Sequence, residues 1–238
     1  MAAKLISYNK VSCLTPSTSV PRNVTVSLNF KGSGDYVSAG QSFTYHRQLS
    51  LVDAKPLRGF VGGGTLVTIT GTGFIDVPSL SCRFGSTLVD AKYISRNMIE
   101  CTSPPASGVD KVDLGISLNG VEFASQFMSS EIVFHYDAEI ELRGVSPLNV
   151  AMSKSSGAAI IKAEDKYITL YGSGFINTTS LSCSFGSDQI TTATFITDAE
   201  VKCSLPEAGK SGEIQVRISL NGLDFSEQAS TVLFVSRQ

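Results

Sequence analysis

Apolar residues along this chain recur at alternate positions over short stretches. Leu66-Val67-Thr68-Ile69-Thr70 interleaves apolar and hydroxylated side chains, and Ile168-Thr169-Leu170 repeats the pattern. Val112, Leu114, Ile116 and Leu118 alternate with Asp113, Gly115, Ser117 and Asn119, and Ile214, Val216, Ile218 and Leu220 alternate in the same way. A period of two puts successive side chains on opposite faces, so each stretch predicts a half-buried β-strand. Gly71-Thr72-Gly73-Phe74 and Gly172-Ser173-Gly174-Phe175 follow two of these strands and predict a sharp turn, with the phenylalanine folded back onto the core. Asn119-Gly120 and Asn221-Gly222 stand between strand-like segments. Asn-Gly suits a type I′ turn, which needs positive φ at both central positions. Each pair therefore predicts an antiparallel hairpin, closed by an aromatic strand around Phe134 and Tyr136 or around Phe234. Short strands separated by frequent turn signals, with no helix longer than a couple of turns, predict an all-β sandwich.

These blocks repeat. At an offset of 101, Gly71–Phe74 meets Gly172–Phe175, and Leu80-Ser81-Cys82-Arg83-Phe84-Gly85 meets Leu181-Ser182-Cys183-Ser184-Phe185-Gly186. One residue of slippage later, Cys101-Thr102-Ser103-Pro104 meets Cys203-Ser204-Leu205-Pro206, and Ile116–Phe123 meets Ile218–Phe225. Four blocks in one order at near-constant spacing define two copies of one unit. A partial third copy precedes them: Cys13-Leu14-Thr15-Pro16, Ser27-Leu28-Asn29 and Phe43-Thr44-Tyr45 match later blocks, but the Gly-x-Gly-Phe block and the first cysteine have no upstream counterpart. The first copy is therefore expected to be truncated.

Composition narrows the chemistry. Of 238 residues 17% are charged, the formal net charge is −2 and tryptophan is absent. That balance does not suggest a polyanion-binding surface. No apolar run reaches membrane-spanning length, and the first twenty residues lack the apolar core of a secretory signal. Gly62-Gly63-Gly64 with Gly71 and Gly73 lacks the third glycine and helix of a dinucleotide cradle, so these glycines read as turn residues. No Ser/His/Asp or Cys/His constellation converges, and Glu139/Glu141 and Glu164/Asp165 read as decoration of solvated strand faces and loops.

Five cysteines are present: Cys13, Cys82, Cys101, Cys183 and Cys203. Each complete copy holds two at matching positions, without histidines at metal-ligand spacing, which argues against zinc. Two states remain open, a disulfide in each complete copy, which is favoured, or buried free thiols in a reducing compartment. Cys13 is left unpaired. Asn23-Val24-Thr25 and Asn177-Thr178-Thr179 are candidate N-glycosylation sequons.

The order Gly-Gly-Thr, strand, Gly-x-Gly-Phe, Cys-x-Phe-Gly, Cys-x-x-Pro, Ser-Leu-Asn-Gly, aromatic strand closely resembles the IPT/TIG domain. That is an immunoglobulin-like fold shared by plexins, Met-type receptors and certain transcription factors. The resemblance implies tandem immunoglobulin-like β-sandwiches: 1–46 as the C-terminal half of a truncated domain, then 47–137 and 138–238 as full ones. It implies Cys82–Cys101 and Cys183–Cys203 disulfides, as in the cell-surface branch, and no catalytic residue; no metal or cofactor is expected. The last copy departs from the pattern, with Ser155-Ser156-Gly157-Ala158 in place of the glycine triplet.

The function expected is a non-catalytic extracellular stalk or recognition segment of a larger multi-repeat cell-surface or secreted protein. Its expected partners are a protein ligand or neighbouring repeats, not nucleic acid, with a membrane met only through parts of the parent chain outside this sequence. One alternative is a DNA-binding or dimerising domain of a transcription factor, for which Lys55, Arg58, Arg83, Lys92 and Arg96 are the scattered cations. The other is an accessory domain of a polysaccharide-acting enzyme, with Tyr8, Tyr36 or Tyr93 as sugar platforms.

Overall fold

The computed structural model describes residues 3–29, 34–124, 126–127, 130–155, 158–161, 166–206 and 211–236. Ser156, Gly157, Glu164 and Asp165 lie outside them. The described residues contain strands and turns and no α-helix. They divide into two compact units, 1–49 and 50–238.

The first unit holds two antiparallel hairpins. Strands β1 (Ala3–Ser7) and β2 (Lys10–Cys13) pair with each other, as do β3 (Arg22–Asn29) and β4 (Tyr36–Tyr45). In β3 half-buried Val24, Val26 and Leu28 alternate with exposed neighbours.

The second unit contains both complete copies. The earlier copy supplies β5 (Ser50–Lys55), β6 (Arg58–Phe60), β7 (Leu66–Thr72), β8 (Ser81–Phe84), β9 (Thr87–Ser95), β10 (Met98–Thr102), β11 (Asp110–Ser117), β12 (Gln126–Phe127), β13 (Ser130–Glu131) and β14 (Val133–Asp137). The later copy supplies β15 (Glu141–Ser146), β16 (Asn149–Ser155), β17 (Ala158–Ile161), β18 (Tyr167–Ser173), β19 (Ser182–Phe185), β20 (Gln189–Thr197), β21 (Glu200–Ser204), β22 (Gly212–Ser219) and β23 (Ser230–Ser236).

In each copy one long strand joins the two sheets of a sandwich. The first half of β9 pairs with β8 and its second half with β10, and β20 does the same between β19 and β21. On one side of β9 the order runs β10-β7-β5, and on the other β8-β11-β14-β6. The first strand of each copy also changes sheets. It pairs antiparallel as β5 or β15, breaks at Pro56 or Pro147, and resumes parallel to the last strand as β6 or β16. Proline has no N–H to give the ladder, which fits a strand break.

The cores follow the alternation. Val67, Ile69, Leu114, Ile116, Ile168, Leu170, Val216 and Ile218 are all fully buried. Phe74 and Phe175 fold back inside as expected. The two glycines of Gly-x-Gly serve different ends. A Cβ on Gly71 would meet the Ser50 carbonyl, and one on Gly172 the Glu141 carbonyl, so these glycines allow close strand approach. Gly73 and Gly174 instead take φ of 91° and 86°.

The Asn-Gly expectation needs correction. The segment does reverse the chain, but Asn119-Gly120 and Asn221-Gly222 do not form two-residue type I′ turns. The closing bridges are Ile116–Ala124 and Ser219–Phe225, so wide loops intervene. The asparagine side chain organises each loop. Asn119 Oδ1 accepts from the amides of Val121 and Glu122, and Asn221 Oδ1 from those of Leu223 and Asp224. Ser117 and Ser219 hydroxyls donate to the same oxygens at 3.0 and 3.1 Å. Asparagine offers the backbone a local acceptor that competes with ladder pairing.

Candidate functional site

The residues singled out by sequence do not gather in one place. The cysteine pairs lie across the sandwiches. Cys82 on β8 is bonded to Cys101 on β10, and Cys183 on β19 to Cys203 on β21, with Cα–Cα distances of 6.3 and 5.8 Å. All four are buried, and each bond spans the strand that joins the sheets. Cys13 is a free, exposed thiol at the end of β2. Asn23 is exposed on β3, opposite Thr44. Asn177 is exposed in the turn after Phe175.

The Asn-Gly loops have different surroundings. In the later copy the loop grips the earlier copy. Asn221 Nδ2 donates to the Arg58 carbonyl at 2.9 Å, and the Thr65 hydroxyl donates to Asp224 Oδ2 at 2.6 Å. Asn221 Nδ2 also reaches Asp224 Oδ2, tying the two contacts together. Phe60, on β6 of the earlier copy, is packed into the core cluster of the later one. Gly59 makes room for this arrangement, since a Cβ there would overlap the Thr65 side chain. In the earlier copy the matching loop is prefolded by the same bonds, with Val121 78% exposed.

A largely buried ion pair lies within the earlier copy, at the strand that carries Phe60 and the Arg58 carbonyl. Arg58 Nε donates to Asp137 Oδ2 at 2.8 Å and Nη2 to Oδ1 at 3.2 Å, which joins β6 to the end of β14. The Asp137 side chain is 5% exposed. Burial raises its pKa, and the Arg58 guanidinium works against that rise. Beside it, burial lowers the pKa of His135, helped by Arg58 and Lys111. Burial raises Glu139, whose carboxylate accepts from the Gly62 amide.

A cleft of about 470 Å³ opens between the copies. Residues 53–58 line one side, and Thr178, Thr179, Leu220 and Leu223 line the other. It is shallow and open, and its surface is mostly apolar with a few hydroxyl and charged groups. Among the described residues, no group of three His, Cys, Asp or Glu side chains is placed to hold a metal. No helix there is long and apolar enough to cross a membrane.

The cations proposed for phosphate contact have neighbours of their own. Lys55 pairs with Asp53, Arg58 with Asp137 and Lys92 with Glu100, while Arg83 stacks 4.4 Å over the Phe123 ring. Of the tyrosines considered as platforms, Tyr8 and Tyr36 are exposed in the first unit and Tyr93 is half-buried on β9. Sequence reasoning missed Asp137, Thr65 and Asp224 as junction residues. For Asp224 the available signal was an acidic residue three positions after the loop asparagine; Thr65 and Asp137 carried none.

A profile of the IPT/TIG domain matches residues 49–136 and 157–234, more than half of the chain. The chain belongs to the IPT/TIG domain family. Among solved structures, the full extracellular region of plexin A4 is similar at 17% identity and a TM-score of 0.47, covering 90% of this chain and 18% of that one. A surface glycan-binding protein (SGBP-B) from a xyloglucan utilisation locus of Bacteroides uniformis is similar at 15% identity and 0.27, covering 79% and 48%. The Escherichia coli adhesin FdeC is similar at 19% identity and 0.29, covering 80% and 64%. The IPT/TIG chain thus spans less than two thirds of each.

Proposed function

We propose that this IPT/TIG chain is a non-catalytic extracellular stalk and recognition segment of a larger multi-repeat cell-surface or secreted protein. Its domains run over 1–46, 47–137 and 138–238, and its partners are a protein ligand or neighbouring repeats. One observation carries the reading: each complete copy holds a disulfide at the same buried position, across the strand that joins its sheets. Such bonds form and persist in oxidising compartments. The bonds from Asn221 and Thr65 and the packing of Phe60 support a spacer role, because they tie one copy to the next. The test is to direct the chain into a eukaryotic secretory pathway with a heterologous leader and alkylate it without reduction. The expected product is soluble, labelled at Cys13 and protected at the other four cysteines. Full labelling of a folded, secreted chain would reject the proposal.

A further inference from the structure

We propose that Asn177 carries an N-linked glycan whose proximal sugars occupy the cleft between the two copies. The inference rests on the extracellular reading above. Asn177 is exposed, and the next two residues of its sequon, Thr178 and Thr179, are themselves part of the cleft wall. Sugar attached there starts one residue from the cleft wall. The opposite wall, Lys55-Pro56-Leu57-Arg58, belongs to the other copy. Pyranose rings have an apolar C–H face and a hydroxyl edge. Half-buried Leu57 and exposed Leu223 offer surface for the first, and the exposed Lys55 ammonium offers a polar group for the second.

The repeat supplies an internal comparison. The matching turn of the earlier copy reads Phe74-Ile75-Asp76-Val77-Pro78, with Asp76 in the place of Asn177 and Pro78 in the place of Thr179. Both turns are tied to the equivalent carbonyl by hydroxyls at different positions: the Ser79 hydroxyl donates to the Leu118 carbonyl, and the Thr178 hydroxyl donates to the Leu220 carbonyl. Of these two equivalent turns, the one that faces the cleft carries the sequon.

The modification is a group transfer from a lipid-pyrophosphate-linked oligosaccharide. The Asn177 amide nitrogen bonds to the anomeric carbon as the bond from that carbon to pyrophosphate oxygen breaks. The lipid pyrophosphate leaves with the bonding pair, and the transferase's base takes one amide proton.

The experiment uses the full chain secreted from mammalian cells, as wild type and as N177Q. Glycopeptide mass spectrometry reads occupancy, and acetylation kinetics with an activated ester read cleft access at Lys55, with exposed Lys202 as the reference. The expected result is a filled Asn177 and a Lys55 rate at least about threefold lower in wild type than in N177Q, from the bulk of the glycan, with Lys202 unchanged. An empty Asn177 in a secreted, disulfide-bonded chain overturns the inference and leaves the extracellular reading standing. A filled site with equal Lys55 rates overturns occupation of the cleft. A chain retained in the cell with alkylatable Cys82 and Cys183 overturns both.

Discussion

Replacing Arg58 by methionine removes the cation but keeps most of the aliphatic stem. It leaves the Asp137 carboxylate buried, 5% exposed, without its bidentate partner. Breaking one side of a buried pair costs about 3–5 kcal/mol, and the 23% exposure of the Arg58 side chain puts the expectation at the lower end, about 3 kcal/mol. With a urea m-value of about 2 kcal/mol/M, that loss moves the unfolding midpoint down by about 1.5 M. The pH dependence is specific. Burial raises the folded-state pKa of Asp137 above its unfolded value, and Arg58 limits the rise. A carboxyl with a raised folded pKa binds protons more readily in the native state. Its stabilising contribution is therefore present at low pH and lost as pH climbs from the unfolded pKa through the folded one. Without Arg58 the folded pKa rises further, so the variant loses more across that window. Urea unfolding followed by circular dichroism at pH 4, 5.5 and 7.5 reads the outcome. R58M should fall furthest behind wild type at pH 7.5 and recover toward it in acid. An equal deficit at all three pH values, or a deficit below about 0.5 kcal/mol at pH 7.5, would refute the reasoning.

Three further outcomes follow from the same geometry. Replacing Cys183 and Cys203 together by alanine should lower stability by about 3 kcal/mol, from the loop entropy of a separation of 20 residues, measured by calorimetry against wild type. Gly172→Ala should cost more than about 2 kcal/mol, because its Cβ meets the Glu141 carbonyl, whereas Gly144→Ala, which meets nothing within 4 Å, should be near neutral in the same denaturation assay. Asn221→Ala should cost about 1–2 kcal/mol more than Asn119→Ala, since both break their own loop but Asn221 also loses the bond to the Arg58 carbonyl. Hydrogen exchange over residues 58–65 should rise for Asn221→Ala alone.

The core was legible because strand alternation needs only local sequence. Val67, Ile69, Ile168 and Leu170 face inward as the period of two requires. Alternation failed in the last part of β11, where Gly115 and Ser117 are buried as well. There Phe123 folds over Gly115, in space that a Cβ would fill, and covers the face expected to meet solvent. The tight Asn-Gly turn was a local inference defeated by another local effect, the bonds from Asn119 and Asn221 side chains to backbone amides. The junction was not legible because its pairs are remote: Arg58 and Asp137 are 79 positions apart, and Thr65 and Asp224 are 159 apart. The change of sheets within β9 and β20 also has no residue signature, since both read as continuous alternating strands.

The most direct test of the extracellular reading is disulfide mapping of the protein from its natural source. Thiols would be blocked on harvest, the protein digested without reduction, and the linked peptides identified by mass spectrometry. Cys82 should be recovered linked to Cys101 and Cys183 linked to Cys203, with Cys13 outside both pairs. Native protein with Cys82 and Cys183 recovered as blocked free thiols would contradict the extracellular reading.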